Sequence, residues 1–345
     1  MEGSSTPNFR SDRVVFEAHL GYWDPRRFPR LKRIIFENTL NHKDAVELVK
    51  TSEGRVDLVT ELSPLETLRV AESSFATVVK NRGALVTVFG VFNMRKTGSL
   101  WRDVRLRQAV NFAINREDLI RYATKGNGVI IPALVPVHGF GYDPDLAPYP
   151  FDPAKARHLL REAGSPDGLS ITLIAPGALE VQATVVSKML EQAGFQVELQ
   201  VLDTVTFNQK TVLSHLDQPP EQQPWDIALM SWHDLVNFPV FQVYHVFALD
   251  GQTNWVMEQP ELRQLRERVL GTVDREQQQA LIRQMERHTR DQAYFLFLYN
   301  PIPLYAVNKA VTFVPYAYML NLADTAVTEQ HWSVRKQGAA VREGE

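Results

Sequence analysis

Between Ser170 and Val201 the chain reads strand, helix, strand, and that order constrains the fold more than any other stretch. Ser170–Ile174 alternates polar and apolar residues. Val185, Val186, Met189 and Leu190 follow at helical spacing, Gly194 ends the helix, and Val197, Leu199 and Val201 then share one face of a second alternating run. Two strands joined by a helix pair in parallel and cross over right-handed. The chain is therefore expected to build an α/β layer structure.

The flanks fit that expectation. Upstream, Lys32–Phe36 and Val56–Val59 read as strands, with Ala45, Leu48 and Val49 on a helix between them. Ser63 and Pro64 supply a cap and a first-position proline for a helix that carries Leu65 and Leu68 inward. Leu85–Phe92 reads as a buried strand. Arg105 to Tyr122 places Leu106, Val110, Ala113 and Ile114 on one helical face, and a further helix opens at Asp152–Pro153 and stops at Gly164. Downstream, Trp225–Trp232 reads as a core strand. Helices follow over Pro260–Leu270 and Asp274–Gln292, the latter with an Asp274/Gln277 capping box. Tyr294–Tyr299 and Leu304–Val307 read as strands. Residues 1–12 read as a polar arm. Gly126–Tyr142, with four glycines and two prolines, reads as a long loop, either functional or a plain surface excursion.

At 345 residues the chain exceeds one ordinary core and implies at least two domains of about 100–200 residues. Its 37 basic and 40 acidic side chains leave a net charge of −3, which argues against a nucleic-acid partner. Cysteine is absent, so disulfides, thiolate metal sites and a cysteine nucleophile are excluded. The opening M-E-G-S-S-T-P-N-F-R has neither the basic nor the apolar region of a secretory signal. No window approaches the ~20 apolar residues of a membrane span. Phosphate-binding, dinucleotide, zincin and serine-hydrolase motifs are all missing. The nine histidines are scattered; His233 and His245 come closest, across a loop. No catalytic residue, metal ligand or cofactor is expected.

Several islands carry a resemblance. Gly21-Tyr-Trp-Asp24 is followed by Pro29-Arg-Leu-Lys-Arg-Ile-Ile-Phe36, and then comes Gly54-Arg-Val-Asp-Leu-Val59. Asn93 precedes a D-x-R-x-R-Q-A helix, Asp103 to Arg116. Tyr142-Asp-Pro-Asp145, Tyr149-Pro-Phe-Asp-Pro153, Trp225–Trp232 and Pro301–Val307 complete the order. Together they resemble the extracellular solute-binding proteins, family 5, which deliver peptides and sometimes nickel to ABC importers. The resemblance implies a periplasmic-binding-protein-like (type II) two-lobed α/β fold and a non-enzymatic protein. Its peptide-like or small polar ligand would lie in an interlobe cleft, with an ABC permease as partner and the periplasm or outer cell surface as setting. The match begins late. The N-terminal part of lobe I and the small inserted domain are expected to be missing, leaving partial lobe I over 13–95, lobe II over 96–310, and a return and tail over 311–345. A partner chain completing the lobe, or a non-transporting scaffold subunit, is the alternative.

The resemblance also nominates residues. Peptide-binding members often carry W-x-A-D-Y after the core strand, with the aspartate pairing the peptide amine. Here the segment is Trp232-His-Asp-Leu-Val-Asn-Phe-Pro239, so Asp234 is displaced by one and Leu235 stands in the matching place. Trp232 either lines the cleft or packs in the core. Asp234 either meets ligand or caps a loop, and Asn237 is the third ligand-binding candidate. Asn93 is expected at a hinge, bonding backbone. Tyr22 and Trp23 are expected to anchor a turn by packing. Arg105 and Arg107 read as a solvated helix face or structural pairs.

Overall fold

The structure, a computed structural model, describes residues 11–335 apart from 53, 214–217, 241–243, 249–253, 257–258 and 318. Most of the expected N-terminal arm, residues 1–10, lies outside them. In chain order the elements are β1 (Arg13–Glu17), β2 (Arg33–Glu37), α1 (His42–Val49), β3 (Leu58–Val59), α2 (Thr67–Ala71), β4 (Ala76–Lys80) and β5 (Val86–Phe92). Next come α3 (Val104–Ala113), α4 (Arg116–Thr124), β6 (Gly128–Ile130), α5 (Pro153–Glu162), β7 (Leu169–Pro176), α6 (Glu180–Gln192), β8 (Phe195–Leu202), α7 (Thr204–Lys210) and β9 (Ile227–His233). Last are α8 (His245–Phe247), α9 (Pro260–Gly271), α10 (Arg275–Asp291), β10 (Phe295–Pro301), β11 (Leu304–Asn308), β12 (Val311–Thr312) and β13 (Ala326–Val327).

The chain packs as two units, one of Met1–Asn81 with Pro303–Glu345 and one of Arg82–Ile302. The divisions fall at 81/82 and 302/303, where the sequence reading has 95/96 and 310/311. Strand pairing sets them: β5 joins β9 and β10, whereas β11 joins β3 and β4.

The larger unit is built on a six-stranded sheet of order β6-β10-β5-β9-β7-β8. β7 and β8 run parallel in continuous register from Leu169↔Phe195 to Pro176↔Leu202, and β9 runs parallel to β7. This is the crossover that the alternation of residues 170–201 predicts. Its helix α6 buries Ala183, Val186 and Leu190. β5 is buried at every position, which is why it reads as an unbroken apolar run. Where one helix is expected from Arg105 to Tyr122, two occur. The chain leaves helical geometry at Ile114 and Asn115, and the Asn115 side chain caps α4 by accepting from Asp118 N.

In the smaller unit, β3, β11 and β4 pair antiparallel, and Val46, Val49, Val59, Leu62, Val70, Ala76, Leu304 and Ala306 form the core. The helix expected to open at Ser63 starts later. Glu66 Oε2 accepts from both Ser63 N and Oγ, at 3.0 and 2.6 Å, closing a turn there. The inward residue becomes Val70, and Leu65 and Leu68 are 72% and 71% exposed, which corrects the expectation for both.

The G-x-V-D-L-V segment docks the end of the described chain. A Cβ on Gly54, whose φ is +58°, would lie 1.5 Å from Cδ1 of Trp332, and Asp57 Oδ1 sits 3.0 Å from His331 Nε2. Gly54→Ala should therefore unseat Trp332 and strain a left-handed position, costing about 2 kcal/mol. Urea denaturation checks the cost, and faster proteolysis near Trp332 checks the cause.

Candidate functional site

β9 carries the sequence candidates out of the core. Ile227 to Met230 are buried, Ser231 and His233 are exposed, and Trp232 lies between these extremes. Trp232 stands opposite Thr87 of β5, with its ring edge-on to Phe247 at 5.0 Å. Its Nε1 is buried and has no hydrogen-bond partner.

Asp234 follows the strand. Its N–H donates to Leu85 O at 2.8 Å, while its Oδ1 accepts from Phe238 N at 3.0 Å and Val236 N at 3.4 Å. Asp234 therefore caps its own loop. The second oxygen, Oδ2, is buried without a partner. Burial pushes the carboxyl pKa up, against the opposing pull of the Phe238, Val236 and Asn237 N–H groups. Asn237 adopts φ +51°, a left-handed conformation that asparagine tolerates. Its Oδ1 accepts from Phe140 N at 2.7 Å, tying this loop to residues 126–142, and Phe140 and Phe238 stack at 6.0 Å. Beside them lies a hollow of about 530 Å3 lined by His138, Gly139, Phe140, Asn237, Arg275, Glu276 and Gln279. Arg275 holds its guanidinium 4.5 Å over the Phe140 ring.

The long Gly126–Tyr142 segment is no surface excursion, because Ile131 and Ala133–Val135 are buried. Its backbone is satisfied from far along the chain. Asn300 Oδ1 accepts from Val137 N at 2.9 Å, and its Nδ2 donates to Val86 O at 2.8 Å. Glu286 on α10, 2% exposed, accepts from Val135 N at 2.8 Å and from the Tyr244 hydroxyl. Burial raises the Glu286 pKa to about 7, more than the Tyr244, Val135 and Leu134 donors lower it. The sequence reading misses Glu286 and Tyr244; their only local trace is a glutamate on the inward face of a periodic helix.

The remaining candidates divide. Asn93 is fully buried and does bond backbone. Its Nδ2 faces the carbonyls of Pro220, Gln223 and Trp225 at 3.3–3.4 Å, and its Oδ1 accepts from Lys96 N at 2.9 Å. It lies inside the larger unit. Tyr22 and Trp23 lie 5.8 Å apart, ring to ring. Trp23 is 80% exposed, so the burial expected of it is not found. Arg105 is an exposed partner of Asp103 at 2.6 Å. Arg107, expected on a solvated face or in a structural pair, is buried and donates to the carbonyls of Trp101, Arg102, Gln292 and Ala293. Among the described residues no group of three or more His, Asp or Glu is placed to hold a metal ion, and no helix is long and apolar enough to cross a membrane.

Comparison with known proteins places this architecture in a class, the two-lobed α/β proteins that bind solutes. The chain covers 94% of its own length and 60% of the other when superposed on the ABC transporter-associated periplasmic binding protein DppA from Helicobacter pylori in complex with peptide STSA, with a TM-score of 0.74 and 18% identity. For NikA from Brucella suis in complex with Fe(III)-EDTA the values are 94%, 67%, 0.77 and 18%. At that identity the likeness is one of fold. In sequence, the dipeptide-binding protein of Escherichia coli (strain K12) is 28% identical over 166 residues, 48% of this chain and 30% of that protein. The matched part is thus about a third of that relative's length. The profile of the bacterial extracellular solute-binding proteins, family 5 Middle, matches residues 8–254, and the chain belongs to that family.

Proposed function

We propose that the chain captures a peptide-like solute at the end of β9, without transforming it, for delivery to an ABC permease on the outer side of a membrane. The observation that carries this reading is a pair of buried polar atoms without partners at the end of β9, the Trp232 Nε1 donor and the Asp234 Oδ2 acceptor. Buried polar atoms without partners are costly, and a peptide unit offers both the carbonyl and the N–H that they lack. The half-buried Trp232 ring adds a flat apolar surface for a ligand side chain. The dipeptide-binding relative supports a peptide-like ligand, and the Fe(III)-EDTA complex of a similarly folded protein supports a small polar one.

Tryptophan fluorescence titration with defined dipeptides and tetrapeptides tests the assignment. Trp232→Ala is expected to weaken binding by about 1–3 kcal/mol, or roughly five- to 150-fold, with the circular dichroism of the folded chain retained. Equal affinity in wild type and variant would remove Trp232 and the end of β9 from the binding surface.

A further inference from the structure

Both carboxyl oxygens of Glu286 are engaged, each by a different part of the larger unit. Oε2 accepts from Val135 N at 2.8 Å and Oε1 from the Tyr244 hydroxyl. Each partner begins an arm that ends at Trp232. Beside Val135, Leu134 O accepts from Thr87 Oγ1 at 3.1 Å. Thr87 Oγ1 accepts in turn from Asn300 Nδ2 at 3.0 Å, and Thr87 stands opposite Trp232 in the β5–β9 register. On the other arm, Tyr244 leads into α8 and its Phe247, both fully buried. The Phe247 ring meets Trp232 edge-on and Phe89 at 5.8 Å.

Neither arm brings Glu286 a cation. Its hydrogen-bond partners are amide and phenol, and the charge that bears on it is the Asp143 carboxylate, of the same sign. Asp143 is itself paired with Arg287 at 2.6 Å, and Arg283 on the same helix donates to Tyr142 O. His245 follows Tyr244 on α8, and the buried residues of α9, beside α10, are the apolar Leu262 and Val269. A neutral carboxyl suits such a site, whereas a carboxylate would be buried without a counter-charge. Ionisation therefore favours a state in which water reaches the group and the two arms part from it. Burial raises the carboxyl pKa to about 7, so the change falls near neutrality.

We propose that Glu286 is a positioning residue for Trp232: its neutral carboxyl holds both arms in place, and its ionisation releases them and, on the function proposed above, weakens capture of the solute. The sign follows from linkage. The neutral form prevails below the folded-state pKa, so Trp232 is held at lower pH and let go as pH rises through about 7.

Spectra of the nitrogen-labelled full chain test this with no ligand present. Trp232→Phe identifies the Trp232 indole signal among those of the six tryptophans. In wild type that signal should shift with pH, with an inflection near 7, and in Glu286→Gln it should stay still. Tyr244→Phe removes only the hydroxyl that favours the carboxylate, so it should carry the inflection to higher pH. Titration with dialanine across the same range adds the solute. Its dissociation constant should rise in wild type by up to about tenfold between about pH 6 and 8, the limit for one proton, and stay level in Glu286→Gln. A Trp232 signal indifferent to pH, or one that titrates equally in Glu286→Gln, would overturn the proposal. A signal that titrates as expected while dialanine fails to bind at any pH would sustain the positioning and count against peptide capture instead.

Discussion

Arg116→Lys should lower the folding stability by about 3–5 kcal/mol, although charge is conserved. Arg116 is 3% exposed and has no acidic side chain among its hydrogen-bond partners. Its guanidinium instead clamps backbone. Nε donates to Phe297 O at 2.7 Å. Nη1 donates to Asn111 O, Ile114 O and Tyr149 O at 3.1–3.2 Å, and Nη2 donates to Asn111 Oδ1 at 3.0 Å. Those contacts join the break between α3 and α4, the segment ahead of α5 and strand β10. Desolvation holds the Arg116 pKa down to about 9, a mark of how much the site depends on those acceptors to keep a cation. A lysine has three donors on one nitrogen and cannot span the same carbonyls. Urea denaturation should show a lower midpoint at unchanged slope. Arg105→Lys on the exposed face should stay within about 0.5 kcal/mol. Similar small effects at both positions would contradict the clamp.

Glu286→Gln should reshape the dependence of stability on pH. The carboxyl is raised from the ordinary 4.5 to about 7 in the folded chain, chiefly by burial. The folded state therefore holds its proton over a range where the unfolded state has lost it. This contribution is complete below about pH 4.5 and disappears as pH rises through 7. At ~1.36 kcal/mol per pH unit the whole effect is on the order of 3 kcal/mol. Glutamine keeps an acceptor for Val135 N and offers a donor to the Tyr244 oxygen, without the titration. The variant should gain on wild type steadily between pH 4.5 and 7 and keep that lead above it. Denaturation midpoints of both proteins across this range decide the matter; a gap that does not vary with pH would rule out Glu286 as the titrating group.

The scaffold was legible wherever local pattern and tertiary demand coincide. The β7–α6–β8 crossover follows from alternation alone, and the caps at Asp152 and Asp274 stand where a short polar side chain precedes an apolar helix face. Reading failed where a distant partner decides. Leu65 and Leu68 are a local exception: Glu66, three residues on, captures Ser63 and shifts the start of α2. Residues 126–142 resemble an exposed loop by their glycines and prolines. Residues 131–136 are nonetheless buried, because Glu286 and Asn300, 151 and 163 residues from the amides they accept, satisfy backbone that water would otherwise have to reach. Arg107 reads as a solvated or paired charge because its partners are carbonyls, and carbonyls leave no mark in a sequence. At the end of β9, resemblance nominates Trp232, Asp234 and Asn237. Only the geometry separates the Asp234 oxygen that caps the loop from the one left open, and gives Asn237 its hold on Phe140.

Isothermal titration of the intact chain with defined dipeptides and tetrapeptides, followed by mass analysis of the recovered ligand, tests the central claim most directly. The account predicts saturable binding that Trp232→Ala weakens, with the peptide returned unchanged. No heat from any peptide, or a peptide recovered in fragments, would contradict it.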